Sequence, residues 1–209
     1  MDMIAPLIFL SVLATLVTLG ILQVRRRAFL LAYTFPAGVV HRLRRHHPQL
    51  TPIELEQVLA GLRDWFCVAQ GAARRPVSMP SRIVDDAWHE LILDTRAYRE
   101  FCRAALGRQF DHVPAEAMRS PMQAQDGIRR AWRLACALER IDPHKPAKLP
   151  RLFALDAQLA IAGGFVYALD CADGRLAPHC ASAIGCASGC GGSSSDGGDG
   201  DGGGGCGGD

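Results

Sequence analysis

The chain has 209 residues, enough for one or two domains. Its 23 Lys and Arg residues nearly balance 21 Asp and Glu residues, and 49% of the residues are hydrophobic. These values exclude a wholly disordered chain, a collagen-like repeat and a strongly charged nucleic-acid wrapper, so no nucleic-acid partner is expected. Glycine and charge are unevenly distributed along the chain. Residues 185–209 contain 13 of the 22 glycines and four aspartates, and they contain no basic residue.

The first predicted element is a membrane-spanning helix. Residues 4–24 contain no charged side chain and one amide, Gln23. A helix of this length spans a hydrocarbon core of about 30 Å. The alternative, a cleaved signal peptide, has basic residues before a shorter apolar stretch. Here Asp2 precedes the run and arginines follow it, which predicts a retained anchor (residues 1–27) with the N-terminus outside and the rest of the chain in the cytoplasm.

A basic juxtamembrane segment is predicted for residues 28–49. Six arginines precede Glu54, the first acidic residue after the apolar run, and they are candidates for contact with the lipid bilayer. They are Arg25, Arg26, Arg27, Arg42, Arg44 and Arg45. The alternative is that these side chains only fix topology and solubility.

A small helical domain is predicted for residues 50–170. Thr51 caps its first helix, Pro52 suits the first turn and Glu54 completes a capping box. Apolar residues then recur at helical spacing from Leu55 to Ala69.

Three further helices follow in the prediction. The second runs over residues 81–106 and ends at Gly107. The third begins at Ser120 and Pro121 and ends before Pro143, and residues 152–169 form a last buried or docking helix. Neither strand-like alternation nor a repeat is evident, so the predicted fold is all-α.

Nine residues of the segment 81–114 form a distinctive motif: Asp85, Trp88, His89, Tyr98, Phe101, Cys102, Phe110, His112 and Pro114. With this motif, and with residues 149–156, the chain resembles the glycine-rich domain-containing proteins of bacteria and plants over residues 50–170. The resemblance implies a helical domain and no established activity. This chain has one histidine, not two adjacent ones, before Val113 and Pro114. With the orientation above, the resemblance implies the bacterial inner (cytoplasmic) membrane.

Asp85 and His89 are four residues apart and therefore share one face of a helix. If His112 folds back after Gly107, one carboxylate and two imidazoles would suit Zn²⁺ or Fe²⁺ with open coordination positions. The alternative is structural, with His89 bonded to Asp85 or to a backbone carbonyl. A zinc-protease motif is excluded, because Leu93 stands where H-E-x-x-H requires the second histidine.

Residues 171–209 form a Cys- and Gly-rich tail, predicted to be disordered from residue 185 because it has almost no apolar side chain to bury. Cys180, Cys186, Cys190 and Cys206 are candidate thiol or soft-metal ligands, although no C-x-x-C pair occurs. A flexible solvated tail is the alternative. In the cytoplasm these thiols would stay reduced.

The leading hypothesis is a single-pass membrane protein that acts as a non-enzymatic interaction or scaffold module, with a protein partner and no cofactor. One alternative is a membrane-anchored metal-dependent enzyme that uses Asp85, His89 and His112 with zinc or iron. Another is a metal- or redox-responsive tail.

Overall fold

The computed structural model describes residues 4–112, 121–169, 180, 181 and 184. Within these residues the chain forms seven helices and no named strand, which confirms the all-α prediction with one apolar N-terminal helix. The helices are α1 (Ile4–Ala32), α2 (Ala37–His46), α3 (Pro52–Gly71), α4 (Arg82–Leu93), α5 (Thr95–Leu106), α6 (Pro121–Glu139) and α7 (Arg151–Gln158). The predicted disorder of the tail falls outside the described residues.

Helix α1 has two parts with different surroundings. Its apolar side chains from Leu7 to Val24 are exposed, and Leu7–Ala32 is long and apolar enough to cross a membrane, a property that a signal sequence shares. The last turns are different, because Leu30 is buried and Phe29 lies in a cluster of aromatic rings with Tyr33 and Phe101. The apolar helix therefore continues into the core without a linker.

Part of the predicted juxtamembrane segment also belongs to the core. Helix α2 buries Val39 and Leu43. Its Arg42 donates through Nε to the buried Glu90 carboxylate at 2.6 Å and through Nη2 to the Glu90 carbonyl oxygen at 2.7 Å. His47 Nε2 lies 3.0 Å from Asp86 Oδ2. These contacts join α2 to α4, so globular packing begins well before residue 50.

Helix α3 is central and contacts α1, α4, α5, α6 and α7. The predicted capping box is present, with Thr51 Oγ1 accepting from the Glu54 N–H and the Glu54 carboxylate accepting from the Thr51 N–H. Gly61 permits close approach of the neighbouring helices, because a Cβ there would lie 2.5 Å from Leu155 Cδ1 and 3.0 Å from Val84 Cγ2.

The prediction of one helix over residues 81–106 is wrong. Helices α4 and α5 are separated at Asp94, whose φ of −86° and ψ of 73° are not helical. The Asp94 carboxylate accepts from the Ala97 N–H and so caps α5. Helix α5 ends at Gly107 as predicted, with a left-handed φ of 68°.

The predicted helix over residues 152–169 is also shorter than expected, because α7 ends at Gln158. The Asp156 carboxylate, on a residue only 3% exposed, organises the change of direction. It accepts from the Ser81 hydroxyl at 2.7 Å, the N–H groups of Arg82 and Ile83 at 2.6 and 3.2 Å, and the Phe165 N–H at 2.9 Å. One carboxylate thus joins the first turn of α4, helix α7 and the chain after it.

Candidate functional site

Helix α4 places the first two candidate ligands. Its buried face contains Ile83, Val84, Ala87 and Leu91 and packs into the core. Asp85 and His89 lie one turn apart near the edge of that face, with their side chains 25% and 49% exposed. They are therefore fixed by a packed helix yet open to solvent.

The loop after α5 returns the third candidate, His112, to this position. The Phe110 ring stacks on Trp88 with centroids 5.1 Å apart and planes inclined by 15°. The Tyr98 hydroxyl accepts from Trp88 Nε1 at 3.1 Å and donates to the Phe110 carbonyl oxygen. Burial raises the pKa of Tyr98, so its phenol keeps the proton that it donates. These contacts hold the loop two residues before His112.

The three predicted ligands meet beside Trp88, whose ring centroid lies 4.7 Å from that of His112. His112 Nε2 lies 3.0 Å from Asp85 Oδ1, and His89 Nδ1 lies 3.6 Å from Asp85 Oδ2. The two imidazole centroids are 4.3 Å apart. One ligand atom from each residue lies within 4.8 Å of the other two.

This donor set fits a divalent transition metal. Two imidazoles and one carboxylate suit Zn²⁺ or Fe²⁺, and bonds of about 2.1 Å separate tetrahedral ligands by about 3.4 Å. The longest separation between ligand atoms here, up to 4.8 Å, therefore has to close by up to about 1.4 Å. His89 is half-exposed and can rotate to close it. The same atoms also satisfy the structural alternative, in which His112 and Asp85 are simply hydrogen-bonded.

A cavity of about 390 Å³ borders His112 on the α5 side. Thr95, Arg99 and Asp111 contribute polar groups to its lining. Sequence reasoning did not identify Arg99 or Thr95, because their relation to His112 depends on the path of the loop after Gly107.

The other described motif residues support the site rather than bind at it. The Phe101 ring lies 4.5 Å from Phe66 and 4.6 Å from Tyr33, centroid to centroid, in the buried aromatic cluster. Cys102 is buried, and burial raises the pKa of its thiol. The last motif residue, Pro114, lies outside the described residues.

The tail cysteines are described at one position. Cys180 is buried and disulfide-bonded, so its sulfur is not a free thiol ligand. Cys186, Cys190 and Cys206 lie outside the described part of the chain.

The six arginines predicted at the membrane surface have three different environments. Arg42 is bonded to Glu90, and Arg25, Arg44 and Arg45 are exposed. Arg26 and Arg27 are half-buried and line a cavity with Arg74 and Arg108, two residues that sequence analysis did not single out.

Comparison with protein families gives one match. The model of the UCP032817-like family matches residues 25–189, more than three quarters of the chain. The chain belongs to this family. The part that matches the UCP032817-like family includes all three candidate ligands and excludes the apolar run of residues 4–24. Searches of curated proteins and of solved structures found no match.

Proposed function

We propose that this protein is anchored in a membrane by α1 and that its helical domain binds one divalent metal ion, Zn²⁺ or Fe²⁺, through Asp85, His89 and His112. The observation that carries the proposal is the convergence of three ligand atoms within 4.8 Å of one another. His112 reaches Asp85 from 27 positions along the chain, through a loop held by specific contacts with α4 and α5.

Three protein ligands leave coordination positions for water or a substrate, as in catalytic rather than structural metal sites. When bound, the ion would supply Lewis acidity and an activated water. The cavity beside His112 offers room for a small molecule, and Arg99 and Asp111 offer it charged groups of both signs. These features favour a metal-dependent enzyme over a purely structural metal centre.

Membrane anchoring is supported by the surroundings of α1. A row of leucine, isoleucine and valine side chains from Leu7 to Val24 is exposed, and lipid is the solvent that suits it. The burial of Leu30 makes the end of α1 part of the domain, which favours a retained helix over a cleaved signal sequence.

The arginines after the run favour a cytoplasmic domain. The disulfide at Cys180 favours an oxidising compartment instead. We propose the cytoplasmic orientation on the basis of the basic flank, and the thiol labelling described below tests it against the orientation that the disulfide supports.

Metal analysis of the detergent-solubilised full chain tests the site. The expected result is about one equivalent of zinc or iron per chain, lost in His89→Ala and retained in the matched control His144→Ala. His144 is an exposed histidine outside the cluster. A metal-free protein with an unchanged circular dichroism spectrum, even after incubation with Zn²⁺ or Fe²⁺, would refute the metal proposal and favour the interaction-module hypothesis.

Thiol labelling in intact cells tests the orientation. A membrane-impermeant maleimide should leave the tail cysteines unlabelled until the membrane is permeabilised. Cys67, Cys102 and Cys136 are buried and should stay unlabelled in the folded protein. The variant Asp2→Cys is the positive control, because its new thiol is expected outside. Labelling of Cys206 in intact cells would reverse the proposed orientation.

A further inference from the structure

A second cavity, of about 540 Å³, lies where α1 meets the helical domain. Gln23, Arg26 and Arg27 of α1 form one wall. The end of α3 and the loop after it, the end of α5 and the residues after it, and the last turns of α6 form the rest. We refer to it as the arginine-lined cavity, after Arg26, Arg27, Arg74 and Arg108.

Along α1, this cavity lies at the level of the lipid headgroups. That placement rests on the membrane anchoring proposed above. The apolar run ends at Val24. Arg27 is three residues further, about 4.5 Å along the helix axis. The headgroup region adjoins the hydrocarbon core at this depth. The two arginines therefore lie at the level of lipid phosphates, and Gln23 lies about one helical turn deeper.

The charge of the cavity is strongly positive. Four arginines and no aspartate or glutamate occur among its described lining residues. Arg26, Arg27 and Arg74 form no ion pair within the described part of the chain. The nearby Asp64 is bonded to Arg151 at 2.9 Å. Burial raises the pKa of Asp64, and Arg151 and then Arg27 oppose that effect. The cavity is thus suited to an anion.

Two of the arginines are held in position by neutral groups, which leaves their charge available. Arg108 Nη2 donates to the Ala73 carbonyl oxygen at 2.6 Å, and its guanidinium lies 5.4 Å from the centroid of Phe110. The Arg26 guanidinium lies against Gly107, where a Cβ would overlap it. Gly107 also has a φ of 68°, so glycine meets both the backbone and the packing requirement.

Part of the cavity lining is apolar. Leu106, Leu134 and Leu138 contribute to it, from α5 and α6. A site that combines arginines with leucines matches a phospholipid at the junction between its phosphate and its acyl chains. A free phosphate would use only the arginines.

From these observations we infer that the arginine-lined cavity binds the phosphate group of an anionic phospholipid. The guanidinium groups of Arg26, Arg27, Arg74 and Arg108 surround the phosphate, and the leucines contact the glycerol and the first methylene groups. Arginine suits this role, because its planar donors match phosphate oxygens in pairs.

The test uses the full-length protein, purified in detergent and stripped of lipid. It is titrated with short-chain phosphatidic acid, short-chain phosphatidylcholine and inorganic phosphate, and binding is followed by ³¹P NMR and by thermal stabilisation. The test variant is Arg26→Gln with Arg74→Gln. The matched control is Arg103→Gln with Arg133→Gln, which removes the same charge from exposed positions of α5 and α6 that do not line the cavity.

The expected result is binding of phosphatidic acid that weakens about thirtyfold in the test variant, or about 2 kcal/mol, and stays within twofold in the control. Equal affinity for inorganic phosphate and phosphatidic acid would retain the phosphate site and assign a free phosphate as its ligand. Equal loss in the control, or equal affinity for phosphatidylcholine, would overturn the inference. Flotation of the wild type with phosphatidylcholine vesicles tests membrane anchoring separately, so the two failures are distinguishable.

Discussion

The substitution Asp156→Asn tests whether one carboxylate holds the first turn of α4, and with it the site. The two oxygens of Asp156 accept four hydrogen bonds, three of them from Ser81, Arg82 and Ile83. Asparagine keeps one of these oxygens and replaces the other with an amide NH₂, which cannot accept a hydrogen bond from the N–H groups it faces. The best orientation places that NH₂ opposite Ser81, whose hydroxyl can accept, and leaves the Ile83 N–H unpaired.

The expected cost follows from the bonds that are lost. Each charge-assisted hydrogen bond contributes about 1.5 kcal/mol or more, and a negative charge at a helix N-terminus contributes about 0.5 kcal/mol. Loss of the Ile83 bond, replacement of the charge-assisted Ser81 bond by a weaker neutral one, and loss of the charge together predict a decrease of about 2–3 kcal/mol in the free energy of unfolding.

Tryptophan fluorescence during urea unfolding in detergent is the assay. Trp65, Trp88 and Trp132 are all buried in the helical domain, so their emission follows the domain and not the apolar run. The control Asp126→Asn removes an exposed contact to Arg129 and should change stability by less than about 0.5 kcal/mol. A loss below about 1 kcal/mol in Asp156→Asn would refute the reasoning.

Three further predictions concern the loop, α2 and the buried thiols. Tyr98→Phe removes the hydrogen bonds to Trp88 and Phe110 that hold the loop before His112. Zinc affinity, measured by competition titration, should therefore fall about tenfold with little change in stoichiometry. Unchanged affinity would contradict the role given to the loop. Arg42→Ala leaves the Glu90 carboxylate buried without its arginine and should cost about 2–4 kcal/mol in urea unfolding, whereas Arg45→Ala should cost less than about 0.5 kcal/mol. Burial raises the pKa of Cys67 from 9.0 to about 11 and that of Cys136 from 9.0 to about 12. Above pH 9 the unfolded chain loses these protons first, so stability should be fully present below pH 9 and fall as the pH rises toward 11. Cys67→Ser with Cys136→Ser should flatten that decline, and parallel pH profiles would contradict the assignment.

The sequence predicted the elements whose signals are local. The capping box at Thr51 and Glu54 needs only residues three apart, and the end of α5 needs only Gly107. The break between α4 and α5 also had a local signal, since Asp94 before Thr95 is a good N-cap. The apolar residues keep helical spacing across this break, so the sequence pattern predicted one helix where there are two.

Other features depend on contacts between distant segments. The end of α7 at Gln158 is stabilised by Asp156 through Ser81 and the first turn of α4, more than 70 positions away. Within the site, the spacing of Asp85 and His89 was evident, but the return of His112 depends on Phe110 stacking on Trp88. Sequence spacing alone cannot specify such a ring contact.

With α1 in a bilayer as proposed, its direct passage into the core fixes a rotational register between the bilayer and the domain. A helix turns by about 100° and rises about 1.5 Å per residue. Leu30 is the buried residue near the end of α1. Deletion of one residue between Val24 and Leu30 would thus rotate the whole domain by about 100° about the axis of a helix that stands upright in the membrane. The candidate metal ligands and the arginine-lined cavity would then both face a direction about 100° from their original one along the membrane surface. The short segment from Val24 to Leu30 therefore acts as a spacer of fixed length and angle, a constraint that a flexible linker would not impose.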